Sequence, residues 1–187
     1  DVLVCEAPSF VGALNTFRSY NAKLVGVTVE HDGMSMTELE EKLRANPNAK
    51  FIYTIPNFQN PSGVTMSLKK RKKVYELAKK YGVLILEDNP YGELRFGGED
   101  VPAIKTKDEN GRVIYVGSFS KTLAPGLRVG FAVAHADVMD RIVVVKQVND
   151  VHTTLLTQMM VDRFLAEYDF DEHIKKGSDL YKSQCEC

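Results

Sequence analysis

Val83-Leu84-Ile85-Leu86 is apolar at every position and follows directly on a helical pattern that stops at Gly82. A strand with one wet face alternates apolar and polar residues, so an uninterrupted apolar strand belongs in a sheet covered on both faces. Val2 to Cys5, Leu24 to Val29 and Phe51 to Thr54 read as further strands. Between them lie segments of helical spacing: Val11 to Ala22, a stretch from Thr37 to about Leu43 that stops at Asn46-Pro47-Asn48, and Ser67 to Tyr81. Thr37 with Glu40 predicts a capping box, His31 to Met34 a turn, and Ser67 an N-cap. In the helix after Ser67, Val74, Leu77 and Ala78 share one face, while Lys69, Lys70, Arg71, Lys72, Lys79 and Lys80 are expected mostly in water. Strands alternating with helices predict an α/β fold, a three-layer α/β/α arrangement around a mostly parallel central sheet.

The 187 residues suffice for one domain with a full core, and 44% hydrophobic with 26% charged residues is ordinary for a globular chain. A formal net charge of −1 argues against a nucleic-acid-binding surface, and the basic run Lys69 to Lys73 reads as the wet face of a helix. No apolar run reaches the length of a membrane span and no signal-peptide pattern opens the chain, so a cytoplasmic protein is expected. The three cysteines, Cys5, Cys185 and Cys187, do not make a disulfide framework, and the four histidines share no ligand spacing, so no metal is assigned. Because the chain starts at Asp1 and enters a strand one residue later, it reads as a piece of a larger protein.

Chemistry concentrates between Val113 and Gly130. A β-branched run breaks at Gly117 into Ser118-Phe119-Ser120-Lys121, then Pro125, Gly126 and Arg128 precede a second apolar run, Val129 to Ala134. A lysine just past a buried strand is placed to be desolvated, which favours the neutral, nucleophilic amine. Ser118, Ser120 and Arg128 offer donors suited to an anionic phosphate. Two rival patterns fit less well. A phosphate loop needs glycine where Ser120 stands, and a Ser-x-x-Lys acyl-enzyme lacks its Ser-Asp-Asn and Lys-Thr-Gly companions. The residues alone also leave open a lysine at a solvated strand end.

The stretch resembles the lysine segment of the fold-type I, class I/II aminotransferases that use pyridoxal 5'-phosphate, in its form Ser-x-Ser-Lys-x-x-x-Pro-Gly-x-Arg-x-Gly. The resemblance implies that Lys121 carries the cofactor as an aldimine and that Ser118, Ser120 and Arg128 are its phosphate and lysine neighbours. Two more motifs occur in the family's order. Asn60-Pro61-Ser62-Gly63 matches Asn-Pro-x-Gly, in which the asparagine donates to the cofactor's phenolic oxygen. Asp88, at the end of the fourth strand, is an acid that needs a cationic partner or several donors. The family's pyridine nitrogen supplies that partner, and Tyr91, three positions on, takes the place of the tyrosine that bonds the phenolic oxygen. Phe10, in Pro8-Ser9-Phe10, stands where the family stacks an aromatic ring on the pyridine. Judged on that segment alone, an ordinary core aromatic fits as well.

The loops around Asn60 and Asp88 look closest to the aminoadipate, kynurenine and aromatic or branched-chain group. The resemblance thus implies transamination between an amino acid and a 2-oxo acid, with Lys121 as general base, Asp88 and Tyr91 as its catalytic companions, and a homodimeric parent. It spans residues 1–187 as part of a cofactor-binding large domain from a protein about twice this length, lacking an amino-terminal phosphate-wrapping loop and a carboxy-terminal small domain. A MocR-like transcription regulator, which carries such a domain behind a DNA-binding helix-turn-helix, is the alternative. Nucleic acid enters only if that upstream domain exists. Gly97 to Asn110 is expected as a surface excursion. Helices are predicted from Asp137 to Val148, from Thr153 to Glu167, and from Asp169 to Tyr181.

Overall fold

The computed structural model describes residues 1–185, so Cys187 lies outside the described residues. They form strands β1 (Val2–Ala7), β2 (Lys23–Glu30), β3 (Gly33–Met34), β4 (Ala49–Thr54), β5 (Leu84–Asp88), β6 (Val113–Ser118) and β7 (Gly130–Val133). The helices are α1 (Val11–Ser19), α2 (Met36–Ala45), α3 (Leu68–Tyr81), α4 (Ala136–Asn149), α5 (Leu155–Glu167) and α6 (Phe170–Cys185). The fold is α/β with a mostly parallel sheet. It separates into two compact units, Asp1–Asn89 with Val101–Tyr115, and Pro90–Asp100 with the chain from Val116 on.

In the first unit the strands lie in the order β3-β2-β1-β4-β5. β1 pairs in parallel with both β2 and β4, β4 with β5, and only β3 runs antiparallel, against β2. The chain therefore works outward from β1 to β3, then returns to the other side of β1 with β4. That reversal leaves a crevice at the carboxyl ends of β1 and β4, where open α/β sheets take their ligands.

Alternation along β4 explains how both faces are covered. Phe51 and Tyr53 point to one face and meet Phe17 of α1, edge to face, at ring centroid distances of 5.6 and 5.3 Å. Ile52 points to the other and joins a buried cluster with Leu39 and Leu43 of α2 and Val74, Leu77 and Ala78 of α3. α3 begins as expected, with Ser67 Oγ accepting from the Lys70 amide, and ends at Gly82, whose φ of 70° is the left-handed cap that glycine takes without steric cost.

Several local expectations are corrected. The His31 to Met34 turn closes a hairpin, because Gly33 and Met34 pair with Glu30 and Val29. The capping box at Thr37 and Glu40 does not form. The N-cap is Ser35, two residues earlier, and two acids near the start of α2 serve other partners: Glu38 accepts from the Thr28 amide, and Glu40 is taken by Lys80. Arg71, expected in water with its neighbours, is 2% exposed. The Gly97 to Asn110 excursion is not wholly at the surface either, because Ile104, at the start of a short 3₁₀ turn, joins the core.

In the second unit the end of β6 runs beside β7. α4 starts at Ala136 behind His135, and α5 at Leu155, close to the predicted bounds. Their apolar residues are largely exposed, Val144, Val145 and Val148 on α4 and Leu155, Leu156, Met159 and Met160 on α5 among them. No helix among the described residues is long and apolar enough to cross a membrane.

Candidate active site

Two consecutive acids end β5 and face opposite ways. Glu87 is fully buried and accepts from the Ile104 and Lys105 amides, both at 2.8 Å, so it ties the excursion to the sheet. Asp88 lies two residues beyond Leu86, the register partner of Tyr53, and so shares a face with that tyrosine. Tyr53 Oη donates to Asp88 Oδ2 at 2.8 Å. Burial pushes the Asp88 carboxyl above its ordinary range, and the tyrosine hydrogen bond pulls the other way. A half-buried carboxylate met by one neutral donor is suited to a cationic ligand group.

The loop after β4, which carries Asn60, is held by buried side chains. Glu6, at the end of β1, accepts from Thr54 Oγ1 at 2.6 Å, from the Ile55 amide at 3.1 Å and from Gln59 Nε2 at 3.1 Å. Gln59 Nε2 also donates to the Pro8 carbonyl at 2.9 Å, and its Oε1 accepts from the Ser62 amide and hydroxyl. Gln59 thus links the turn before Phe10 to the turn that holds Asn60. Burial pushes the Glu6 carboxyl up to about 7 even though these donors oppose the shift. From the other side, Arg71 of α3 donates to Asn57 Oδ1 at 2.7 Å and to the carbonyls of Pro56, Met66, Val101 and Pro102. Asn57 Nδ2 passes the chain on to Asn89 Oδ1 and Asn89 Nδ2 to Tyr115 Oη, each at 2.8 Å.

Of the residues picked out in the sequence, the first unit holds Phe10, Asn60 and Asp88. Phe10 sits at the N-cap of α1, 39% exposed, with its ring folded over Gly12, where a β-carbon would come within 2.6 Å of it. That exposure argues against an ordinary core role for the ring. Asn60 is half-buried.

The second unit holds Tyr91, Ser118, Ser120, Lys121 and Arg128. Tyr91 precedes a short 3₁₀ turn, Gly92–Leu94. Ser118, Ser120 and Arg128 are brought together. Ser118 Oγ accepts from the Ser120 amide at 3.0 Å, and Arg128 donates to Ser120 Oγ at 3.3 Å and to the Pro125 carbonyl at 3.0 Å. Arg128 has a φ of 53°, a left-handed conformation that a non-glycine residue adopts at a cost. Lys121 lies in the turn after β6 and is exposed, so the expected desolvation by the sheet is not met. His173 of α6 anchors that turn, with Nε2 2.9 Å from the Thr122 carbonyl.

Tyr53, Glu6, Asn57, Gln59, Arg71 and His173 escaped the sequence reading. Only Arg71 left a signal there, since positions 71, 74 and 78 fall on one helical stripe and Val74 and Ala78 mark it as the buried one.

The sequence model of the family described as aminotransferase class I and II matches residues 1–182. The chain belongs to this family. Among its relatives, aromatic-amino-acid aminotransferase 1 of Thermococcus litoralis is 44% identical over 186 residues, a match that covers 97% of this chain and 45% of the relative. The crystal structure of LysN, the α-aminoadipate aminotransferase of Thermus thermophilus, complexed with N-(5'-phosphopyridoxyl)-L-leucine, superposes with a TM-score of 0.92 at 36% identity, over 100% of this chain and 48% of that one. The probable rhizopine catabolism regulatory protein MocR of Rhizobium meliloti is also similar in sequence, 36% identical over 181 residues, 97% of this chain and 36% of the relative. The chain spans about half the length of the aminotransferases it matches.

Proposed function

We propose that the full-length protein is a pyridoxal 5'-phosphate-dependent aminotransferase that exchanges an amino group between an amino acid and a 2-oxo acid. The observation that carries this reading is Asp88: a half-buried carboxylate at a strand end, beside the topological switch point, with one neutral donor. The donor sets fit the cofactor. A carboxylate of this kind suits a protonated pyridine nitrogen, and two serines around an exposed arginine suit a phosphate dianion. When bound, the cofactor supplies a ring that withdraws electrons from the substrate carbon.

Each side chain then has a defined task. With the cofactor bound, Lys121 Nζ would hold it and would serve as the general base that takes the proton from the substrate's α carbon. Asp88 would keep a proton on its ring nitrogen. Asn60 and Tyr91 would donate to its phenolic oxygen, Phe10 would hold the ring plane, and Ser118, Ser120 and Arg128 would hold the phosphate. The protein works in the cytoplasm as a homodimer, with an amino acid and a 2-oxo acid as its substrates.

A specific observation favours a second reading. The match to the MocR regulator covers nearly all of this chain, so the same scaffold could sense the cofactor in a transcription factor. A DNA-binding helix-turn-helix encoded upstream would identify that case.

Borohydride reduction of the cofactor-loaded full-length protein, followed by peptide mapping, tests the site. The pyridoxyl label belongs on Lys121. Label on another lysine overturns the assignment.

A further inference from the structure

From the geometry at the end of β5 we infer that Tyr53 is a positioning residue, one that fixes Asp88 Oδ2 through its hydroxyl and leaves Oδ1 to meet the cationic group of the ligand. The inference rests on the proposed role of Asp88 toward the cofactor's ring nitrogen, and adds to it how this chain holds that carboxylate in place. Three observations support it. The Tyr53 hydroxyl is 2.8 Å from Oδ2. Its ring is 1% exposed and braced by Phe17 of α1 at a centroid distance of 5.3 Å, so the hydroxyl has little freedom to move. The parallel register of β4 and β5 places Tyr53 opposite Leu86, so the hydroxyl reaches along the same face to the residue at the strand's exit.

The hydroxyl is also the right chemical group for the task. A lysine or arginine in its place would neutralise Asp88 internally and remove its attraction for a ligand cation, whereas an apolar residue would leave the buried carboxylate without a partner. A phenol donates one hydrogen bond and no charge. It favours the ionised carboxylate while leaving the negative charge for the ligand. Tyr53 itself remains a donor, because burial and the neighbouring carboxylates push its own ionisation far above the ordinary range.

The ionisable groups around the pair are few. β1 contributes Cys5 and Glu6, both of which act on Tyr53, and α1 contributes Arg18, which acts on Cys5. Glu6 and Asp88 also repel each other. Glu87 faces the other side of the sheet.

The test compares the full-length apoprotein with its Tyr53→Phe and Phe17→Leu variants, following the Asp88 carboxyl by ¹³C NMR across a pH titration, with Asp88→Asn to assign the resonance. Tyr53→Phe keeps the ring and removes only the hydroxyl, so Asp88 should titrate higher by about one unit, a roughly tenfold shift in its ionisation equilibrium. Phe17→Leu disturbs the packing and leaves the hydroxyl, and should lower thermal stability with no comparable shift. An unchanged Asp88 in Tyr53→Phe overturns the inference, as does an equal shift in Phe17→Leu, because packing alone would then account for it. A separate arm measures pyridoxal 5'-phosphate binding by the wild-type apoprotein. Failure there sinks the proposed function, while the apoprotein titration still decides whether Tyr53 governs Asp88. If the cofactor binds, the acidic limb of its pH-binding profile should move up in Tyr53→Phe by the same amount as the carboxyl.

Discussion

Arg71 Nη2 donates to Asn57 Oδ1 at 2.7 Å, and with that bond a helix whose Lys69 and Lys72 stand in water becomes the anchor of the loop that carries Asn60. The same guanidinium meets four backbone carbonyls, at Pro56, Met66, Val101 and Pro102. The fork geometry of arginine allows this and the single point charge of lysine does not.

Replacing Arg71 by Met or by Lys should therefore be costly. Both leave buried carbonyls without donors, and the expected loss of stability is about 3–5 kcal/mol, read by urea unfolding. Lys69→Met, on the exposed side of the same helix, should stay within about 0.5 kcal/mol of wild type. Equal effects at the two positions would show that the loop does not depend on the guanidinium.

Glu6 should give the protein a pH dependence of identifiable origin. Its carboxyl titrates near 7 when folded and near 4.5 when unfolded. Between those values the native state binds more protons than the unfolded chain, so stability falls as pH rises from about 4.5 to 7. Glu87 and Asp88, also raised by burial, act in the same direction, while Asp108 and Asp32, held low by lysine partners, act in the opposite one only at pH values at and below the ordinary aspartate range. Glu6→Gln should flatten this fall, measured as thermal midpoints at a series of pH values. An unchanged slope would place the titration elsewhere.

Asp88→Ala in the full-length protein should still permit the borohydride label on Lys121, yet slow substrate proton abstraction by orders of magnitude, since the ring proton loses its partner. Single-turnover absorbance with an amino acid reads the step. Near-normal rates would refute the role given to Asp88.

The 187-residue chain by itself should self-associate and show no transamination. Val148 of α4 is 83% exposed and Leu156 of α5 67%, and apolar patches of this kind drive association in water. Light scattering after gel filtration should report oligomers, and Val148→Lys with Leu156→Lys should reduce them. A monodisperse wild-type monomer that turns over an amino acid would contradict both expectations.

The sequence by itself determined the order of elements and pointed to the residues proposed for the chemistry. The apolar run Val83 to Leu86, the Ser67 and Gly82 caps, and the motif residues Asn60, Asp88 and Lys121 are local signals, each readable within a few positions because backbone preference and side-chain chemistry act at short range. Tertiary structure alone decided what holds those residues. Tyr53 meets Asp88 across 35 positions, Gln59 meets Glu6 across 53, and Arg71 meets Asn57 across 14. Such pairs depend on strand register and on where a helix is set down on the sheet, and no periodicity along the chain encodes either. The same limit explains Thr37 and Glu40. Their spacing satisfies the local rule for a capping box, but Lys80, brought to Glu40 from a different helix, offers its carboxylate a charged partner in place of a backbone amide. It also explains Lys121: the apolar, β-branched run before it marked a strand, of which only Val113 is buried, while only the tertiary structure decided that Lys121 would be exposed.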